Sequence, residues 1–173
     1  ETRQPMQNLS LKDFADTGLL PADTSTSATT LHLIVSAEFS SFHDSLSSSD
    51  QQWLKRQSFT GKSGHMAWLE NGVCVIGAAS VDSLATLGGL PYTLPEGVYR
   101  LSATTSFIAL LGWGLGSYSF DRYKAAERGP AQLILPDGAD AAELVNTVAA
   151  TYLTRDLINT PAQDMAPSHL QAE

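Results

Sequence analysis

Cysteine is nearly missing from the sequence, which has one, Cys74, in 173 residues. No disulfide can form within the chain, and no cysteine cluster can hold a metal. Cys74 lies in the apolar run of residues 73–76, and a buried, unreactive thiol there suits a reducing compartment. A cytoplasmic location is therefore expected.

Long hydrophobic runs and basic residues are also scarce. The longest apolar stretch, residues 107–115, is about half of the 18 or more residues that a transmembrane helix needs. Lys and Arg number 10 against 18 Asp and Glu, so the formal charge is −8. This balance repels phosphate backbones and anionic membrane surfaces. We therefore expect neither nucleic acid nor a membrane as a partner.

The composition that remains is that of a globular domain. Hydrophobic residues make up 43% and charged residues 16%, with a mean hydropathy of −0.06. A chain of this length is expected to bury about 69% of its unfolded surface in one core. The first five residues contain no secretory signal core. The sequence reaches Glu173 soon after a predicted helix start at Pro167-Ser168, so we expect a piece of a longer protein.

Local patterns in the first half predict a strand, a short helix and a hairpin. The β-branched run at residues 31–35 predicts a buried strand. A capping box of Ser49 and Gln52 predicts a helix that ends near Thr60-Gly61. Asn71-Gly72 separates two apolar runs and predicts a hairpin, because both residues tolerate positive φ.

The second half predicts two helices around another strand. Apolar residues recur at helical spacing over residues 102–118, at Phe107, Ile108, Leu111, Leu115 and Tyr118. The glycines of that helix, at positions 112, 114 and 116, are expected to let a neighbouring backbone approach closely. Residues 131–135 predict a strand that ends at the turn sequence of residues 136–138. A long helix follows from Asp140 and stops before Thr160-Pro161.

The alternation of strands and helices predicts an α/β fold with three layers, in which helices flank a mixed sheet. Three regions are expected. Residues 1–29 form an irregular or poorly ordered segment, residues 30–138 the α/β domain, and residues 139–173 a junction helix with the start of a further domain.

The common catalytic and cofactor motifs are absent or incomplete. Gly61-Lys62-Ser63 lacks the glycine that a phosphate loop needs at position 56, which is Arg56. The four histidines have no metal-ligand spacing, and no serine lies in a Gly-x-Ser-x-Gly elbow. The glycines near position 114 lie inside a predicted helix, unlike a dinucleotide fingerprint. The residues therefore nominate no catalytic, cofactor-binding or metal-ligating side chain.

Two segments resemble the M17 leucyl aminopeptidase (cytosol aminopeptidase) family. Residues 152–167, YLTRDLINTPAQDMAP, resemble the segment that joins its N-terminal domain to its catalytic domain. Residues 112–124, GWGLGSYSFDRYK, resemble its helix followed by Tyr-x-Phe-x-x-Tyr-Lys. Together the two segments cover roughly residues 107–170, whereas the first hundred residues share only a general character with the family.

The resemblance implies a macro-domain-like N-terminal domain without catalytic residues. Full-length members use two divalent metal ions, Mn or Zn, to remove N-terminal amino acids from peptides, and the metal-ligand signature Asn-Thr-Asp-Ala-Glu-Gly-Arg does not occur here. No cofactor is expected on this chain. Its implied partners are its own catalytic domain and the neighbouring subunits of a homohexamer, which it helps to assemble while shaping access to the active sites. Peptide substrates belong to the full-length enzyme.

The resemblance also singles out domain-junction residues, which are Arg155, Asp156, Asn159, Thr160 and Pro161. Asn159 can adopt left-handed geometry at a helix end, and Pro161 prevents the helix from continuing. Arg155 is the one basic residue after Asp137, so we expect it to pair with a carboxylate of the catalytic domain or of a neighbouring subunit, or simply to be solvated. In this chain alone it should be exposed and unpaired, or paired only locally.

A different class of function stays open at this point. A macro-domain-like fold could act as a free-standing module that binds ADP-ribose or a related nucleotide, although fold analogy alone supports this. The missing phosphate loop and the negative charge argue against it.

Overall fold

The computed structural model describes residues 14–164, and gives only the backbone of residues 14, 15 and 163. Its strands are β1 (Leu19–Leu20), β2 (Thr29–Val35), β3 (Met66–Trp68), β4 (Cys74–Ala78), β5 (Val98–Leu101) and β6 (Gln132–Ile134). Its α-helices are α1 (Phe39–Ser45), α2 (Ser48–Arg56), α3 (Leu84–Gly88), α4 (Leu90–Thr93), α5 (Phe107–Gly116) and α6 (Ala141–Asn159). Short 3-10 helices cover Phe14–Thr17, Ser36–Glu38 and Ala162–Asp164.

The six strands form one mixed sheet in the order β1-β6-β5-β2-β4-β3. Every neighbouring pair is parallel except β3 and β4. The main core packs α3, α4, α5 and α6 against one face, where Leu31 of β2 and Leu133 of β6 are buried. A second cluster packs α1 and α2 against the other face through Ile34 and Leu54. The predicted three-layer α/β fold with a mixed sheet is thus confirmed.

The predicted hairpin joins β3 to β4, but its turn differs from the expectation. Only Gly72 has positive φ, at 82°. The Gly72 N–H donates to the Leu69 carbonyl at 3.0 Å, and the Leu69 N–H donates to the Val73 carbonyl at 2.9 Å. This is the three-residue loop in which a left-handed glycine follows an ordinary turn. Asn71 instead accepts the Val73 N–H at 3.1 Å with its side chain.

The predicted helix after residue 49 forms with shifted ends. Ser47 is the N-cap, and its hydroxyl accepts the Asp50 N–H at 3.1 Å. The helix ends at Arg56, four residues before Thr60, because Ser58 takes a left-handed φ of 55°. The capping box at Ser49 was therefore placed two residues too late. In a serine run, several residues could each supply the capping hydroxyl.

Helix α5 begins at Phe107, later than expected, and buries a different face from the predicted one. Ser106 caps it by accepting the Ala109 N–H at 3.2 Å. Leu110 and Trp113 are buried, whereas Ile108 is 48% exposed. The prediction of the face was wrong because α5 itself has apolar residues on every side. Their spacing alone therefore does not identify the buried side.

Close backbone approach explains two of the α5 glycines, as predicted. A Cβ at Gly112 would collide with the Leu84 carbonyl, and a Cβ at Gly116 would collide with the Gly88 carbonyl. The backbone of α3 therefore packs directly against both glycines. Gly114 instead faces the Val148 side chain of α6. The glycines therefore allow α5 to pack directly on two other helices.

The segment before β2 contributes to the sheet. Residues 1–29 were expected to be irregular, yet Leu19–Leu20 pairs with β6 and Leu19 is fully buried. The Trp113 indole N–H donates to the Gly18 carbonyl at 2.9 Å and fixes the entry to this strand. The predicted helix start at Pro167-Ser168 lies outside the described residues. Among residues 14–164, no helix has the length and apolar character to cross a membrane.

Candidate interdomain junction

Local sequence fixes where α6 begins and ends. The Asp140 side chain accepts the Glu143 N–H at 3.0 Å, as the predicted capping arrangement requires. Leu144, Val148 and Tyr152 are buried on one face. The helix ends because Thr160, at φ −78° and ψ 123°, is extended ahead of Pro161. Asn159 remains helical and does not use the left-handed geometry that asparagine can adopt at a helix end.

Tyr118 lies between the end of α5 and the end of α6. Its hydroxyl donates to the Asp156 carboxylate at 2.7 Å and accepts the Asn159 amide N–H at 3.0 Å. Its ring packs edge to face on Tyr152 at 5.0 Å between centroids. Burial raises the pKa of Tyr118, and the hydrogen bond to Asp156 raises it further. The phenol therefore stays protonated at neutral pH and keeps donating to the carboxylate.

Arg155 is paired inside this domain. Its Nη1 donates to the Leu115 carbonyl at 2.8 Å, and its guanidinium lies 5.1 Å from the centre of the Tyr118 ring. A cation at the last turn of α5 satisfies a free carbonyl and interacts favourably with the helix dipole. Two states of Arg155 were expected for this chain alone. The exposed and unpaired state is wrong, and the locally paired state forms.

The loop after α5 also holds the chain where it leaves α6. Arg122 Nη1 donates to the Thr160 hydroxyl at 3.2 Å, and that hydroxyl donates to the Asp156 carbonyl at 2.6 Å. Tyr123 donates to the Asp164 carboxylate at 2.6 Å. We call Tyr118, Arg122 and Tyr123, with their partners Arg155, Asp156, Asn159, Thr160 and Asp164, the junction clamp.

The clamp unites the two segments that carry the family resemblance. Of the predicted junction residues, Arg155, Asp156, Asn159 and Thr160 belong to it, whereas Pro161 is exposed, ends the helix, and accepts the Asp164 N–H at 2.9 Å with its carbonyl. Residue-by-residue reasoning missed Tyr118, Arg122 and Tyr123, although all three lie in the segment GWGLGSYSFDRYK. The resemblance of that segment to the family was the signal in the sequence that could have identified these three residues.

The described residues do not fit a metal site. Within residues 14–164, no group of three or more His, Cys, Asp or Glu side chains is placed to hold an ion. The two divalent ions that the family resemblance implies would therefore find no cluster of ligands in this part of the chain.

One serine and one histidine do meet on the sheet. The Ser102 hydroxyl lies 2.7 Å from His32 Nδ1, and the His32 ring stacks on Phe42 at 4.9 Å. Burial lowers the pKa of His32, so its ring is mainly neutral at pH 7. No carboxylate among the described residues orients this ring, and a catalytic triad needs that third group. The pair is therefore not a candidate catalytic site.

A small cleft opens beside the end of β4. It measures about 200 Å³ and its lining includes Gly77, Ala78, Ser80, Ser83 and Thr86. Ligand pockets for drug-sized molecules usually measure about 300–1,000 Å³. The side chains that line the cleft carry no positive charge to meet a diphosphate. This geometry does not favour the nucleotide-binding alternative.

Removal of the Tyr118 hydroxyl tests the clamp. Tyr118→Phe should lower the free energy of unfolding by about 1–2 kcal/mol, because Asp156 and Asn159 both lose a half-buried partner. Tyr123→Phe is the comparison at the exposed end of the clamp: Tyr123 is 55% exposed, so water can replace its bond to Asp164, and the loss should stay below about 0.5 kcal/mol. Urea unfolding followed by circular dichroism measures both, and a loss for Tyr118→Phe as small as that for Tyr123→Phe would contradict the role given to the Tyr118 hydroxyl.

Comparison with known proteins identifies the family. The family described as "M17 aminopeptidase, N-terminal domain" matches residues 29–136. The crystal structure of the cytosol aminopeptidase from Coxiella burnetii superimposes with a TM-score of 0.76 at 31% identity, over 88% of this chain and 35% of that one. A tomato leucine aminopeptidase mutant shares the fold at a TM-score of 0.53 and 16% identity, over 88% of this chain and 40% of that one. A sequence search of curated proteins gives no match. This chain spans about a third of the length of the Coxiella protein, and it belongs to the M17 aminopeptidase family, whose N-terminal domain it forms.

Proposed function

We propose that this chain is the non-catalytic N-terminal domain of a metal-dependent leucyl aminopeptidase that removes N-terminal amino acids from peptides. The observation that supports this most is the match of 88% of the chain, at 31% identity, to 35% of a cytosol aminopeptidase. A domain of that size leaves most of such an enzyme to a separate catalytic part. The two divalent ions, Mn or Zn, belong to that part, where they supply Lewis-acid activation of the scissile carbonyl and of water.

The contribution of this domain is to position the catalytic part of the chain and to help the subunits assemble. The junction clamp fixes the last turn of α6 and residues 160–164, and so sets the direction in which the chain continues. We propose that the domain in this way helps to assemble a homohexamer and shapes access to its active sites. Its partners are the catalytic domain of its own chain and neighbouring subunits, and the assembly works on peptides in the cytoplasm.

An activity comparison tests the proposal. The full-length protein that carries this domain should hydrolyse leucine p-nitroanilide when Mn²⁺ is supplied, whereas the 173-residue chain should show no turnover above buffer and bind no metal. Both are assayed at equal molar concentration, and bound metal is measured after dialysis. Turnover intrinsic to the purified 173-residue chain, or a full-length protein that never cleaves the substrate, would refute the proposal.

A further inference from the structure

The side of α6 that faces away from α5 carries one exposed carboxylate, Glu143, in its first turn and no charged residue after it. Thr147, Ala150, Thr154 and Ile158 lie exposed along it, and no charged residue occurs between Glu143 and Arg155. Ile158 alone is 77% exposed. In a chain with a formal charge of −8, such a face on its longest helix is unusual, because solvated helix faces are normally rich in charged residues. We call these four residues the outer face of α6.

The threonine hydroxyls near this face are already satisfied by the helix. Thr147 donates to the Glu143 carbonyl at 2.8 Å, and Thr154 donates to the Ala150 carbonyl at 2.9 Å. Thr151, beside them, donates to the Thr147 carbonyl at 2.8 Å. A threonine whose hydroxyl bonds back to its own helix turns its methyl group outward. The outer face can therefore lose its water without leaving hydroxyl donors unpaired.

We propose that the outer face of α6 docks against the catalytic domain that follows this domain in the full-length protein. The inference rests on the proposed function. The opposite side of α6 is already packed into the core through Leu144, Val148 and Tyr152. The outer face is therefore the side of α6 that can contact another domain.

The position of this face favours that occupant. Ile158 lies in the last turn of α6, two residues before Thr160, where the chain leaves the domain. The Coxiella protein has nearly two-thirds of its length outside the part that this chain matches. A domain attached at residue 160 is held at high effective concentration beside the outer face, whereas a second copy must reach it by diffusion.

Cysteine reactivity measures the docking directly. Thr154→Cys places a reporter thiol on the outer face, and Thr60→Cys is the matched control at an exposed threonine beyond α2. The natural Cys74 adds little background, because it is fully buried and burial raises its pKa to about 12. Iodoacetamide labelling is followed by mass spectrometry in the folded 173-residue chain and in the full-length protein.

The Thr154→Cys thiol should react at least about 10-fold more slowly in the full-length protein, whereas the Thr60→Cys thiol reacts equally in both forms. Ile158→Cys serves as a second reporter in case Thr154→Cys disturbs folding, and the same slowing is expected. Equal rates at both outer-face reporters overturn the proposal. Slowing that appears in the 173-residue chain and grows with its concentration, with a dimer in sedimentation, assigns the face to a second copy and also overturns it.

The same samples separate this inference from the proposed function. Protection of the outer face in a full-length protein that does not cleave leucine p-nitroanilide refutes the function while supporting the docking. Cleavage of the substrate without protection of the outer face supports the function and refutes the docking.

Discussion

Replacement of Trp113 by alanine is expected to lower the free energy of unfolding by about 4–5 kcal/mol. Trp113 is fully buried in the main core, with its ring centroid 6.4 Å from that of Tyr99. Its indole N–H also satisfies the Gly18 carbonyl at 2.9 Å. The substitution therefore removes a large apolar volume and one of the two hydrogen bonds to the Gly18 carbonyl, which also accepts the Leu133 N–H at 2.9 Å, and these are two separate costs.

Urea unfolding monitored by circular dichroism measures this loss. Trp113→Phe separates the two costs, because it keeps most of the ring but not the N–H donor, and should lose about 2 kcal/mol. Trp53→Ala is the control, since Trp53 is 38% exposed on α2, and should lose less than about 1 kcal/mol. Similar losses for the two alanine variants would show that the core does not depend on Trp113 as described.

Gly116→Ala is expected to cost about 3 kcal/mol, although alanine is the better helix former by about 1 kcal/mol. The new Cβ would meet the carbonyl oxygen of Gly88, and a backbone atom cannot rotate away as a flexible side chain can. The substitution has to push α3 off α5, and the buried contacts of Leu87 loosen with it.

Gly89→Ala supplies the matched control for this substitution. Gly89 is the next residue after Gly88, has an ordinary φ of −86°, and has open space around its Cβ position. Its replacement should change stability by less than about 1 kcal/mol, and in the stabilising direction, because alanine lowers the entropy of the unfolded chain. Thermal unfolding of both variants decides the point: an unchanged midpoint for Gly116→Ala would mean that α3 and α5 do not pack this closely.

The features predicted correctly from sequence are those that neighbouring residues determine. Gly72 places the hairpin, and Asp140 and Pro161 bound α6, in each case through conformational preferences or bonds within a few residues. Strand β1 could not be predicted in this way. Two leucines have no measurable period, and they form a strand only because β6 and Trp113 lie beside them in the fold.

The junction residues show the same difference between local features and contacts with distant parts of the chain. The resemblance singled out Arg155, Asp156 and Asn159 as junction residues, and all three side chains are hydrogen-bonded in the structure. Their partners Leu115 and Tyr118 lie 38 to 41 residues earlier in the sequence. Spacing along a helix carries no information about a contact at that separation, so the sequence could not identify the α5 carbonyl that Arg155 contacts within this domain.

The contact between Gly18 and Trp113 also orders events during synthesis. A ribosome that adds about 5–20 residues each second needs roughly 5–20 s for the 95 residues that separate the two. Throughout that interval Leu19 has no neighbouring strand, because β6 is made later still. Strand β1 consequently cannot pair before β6 has been synthesised, and its two leucines stay without a neighbouring strand until then.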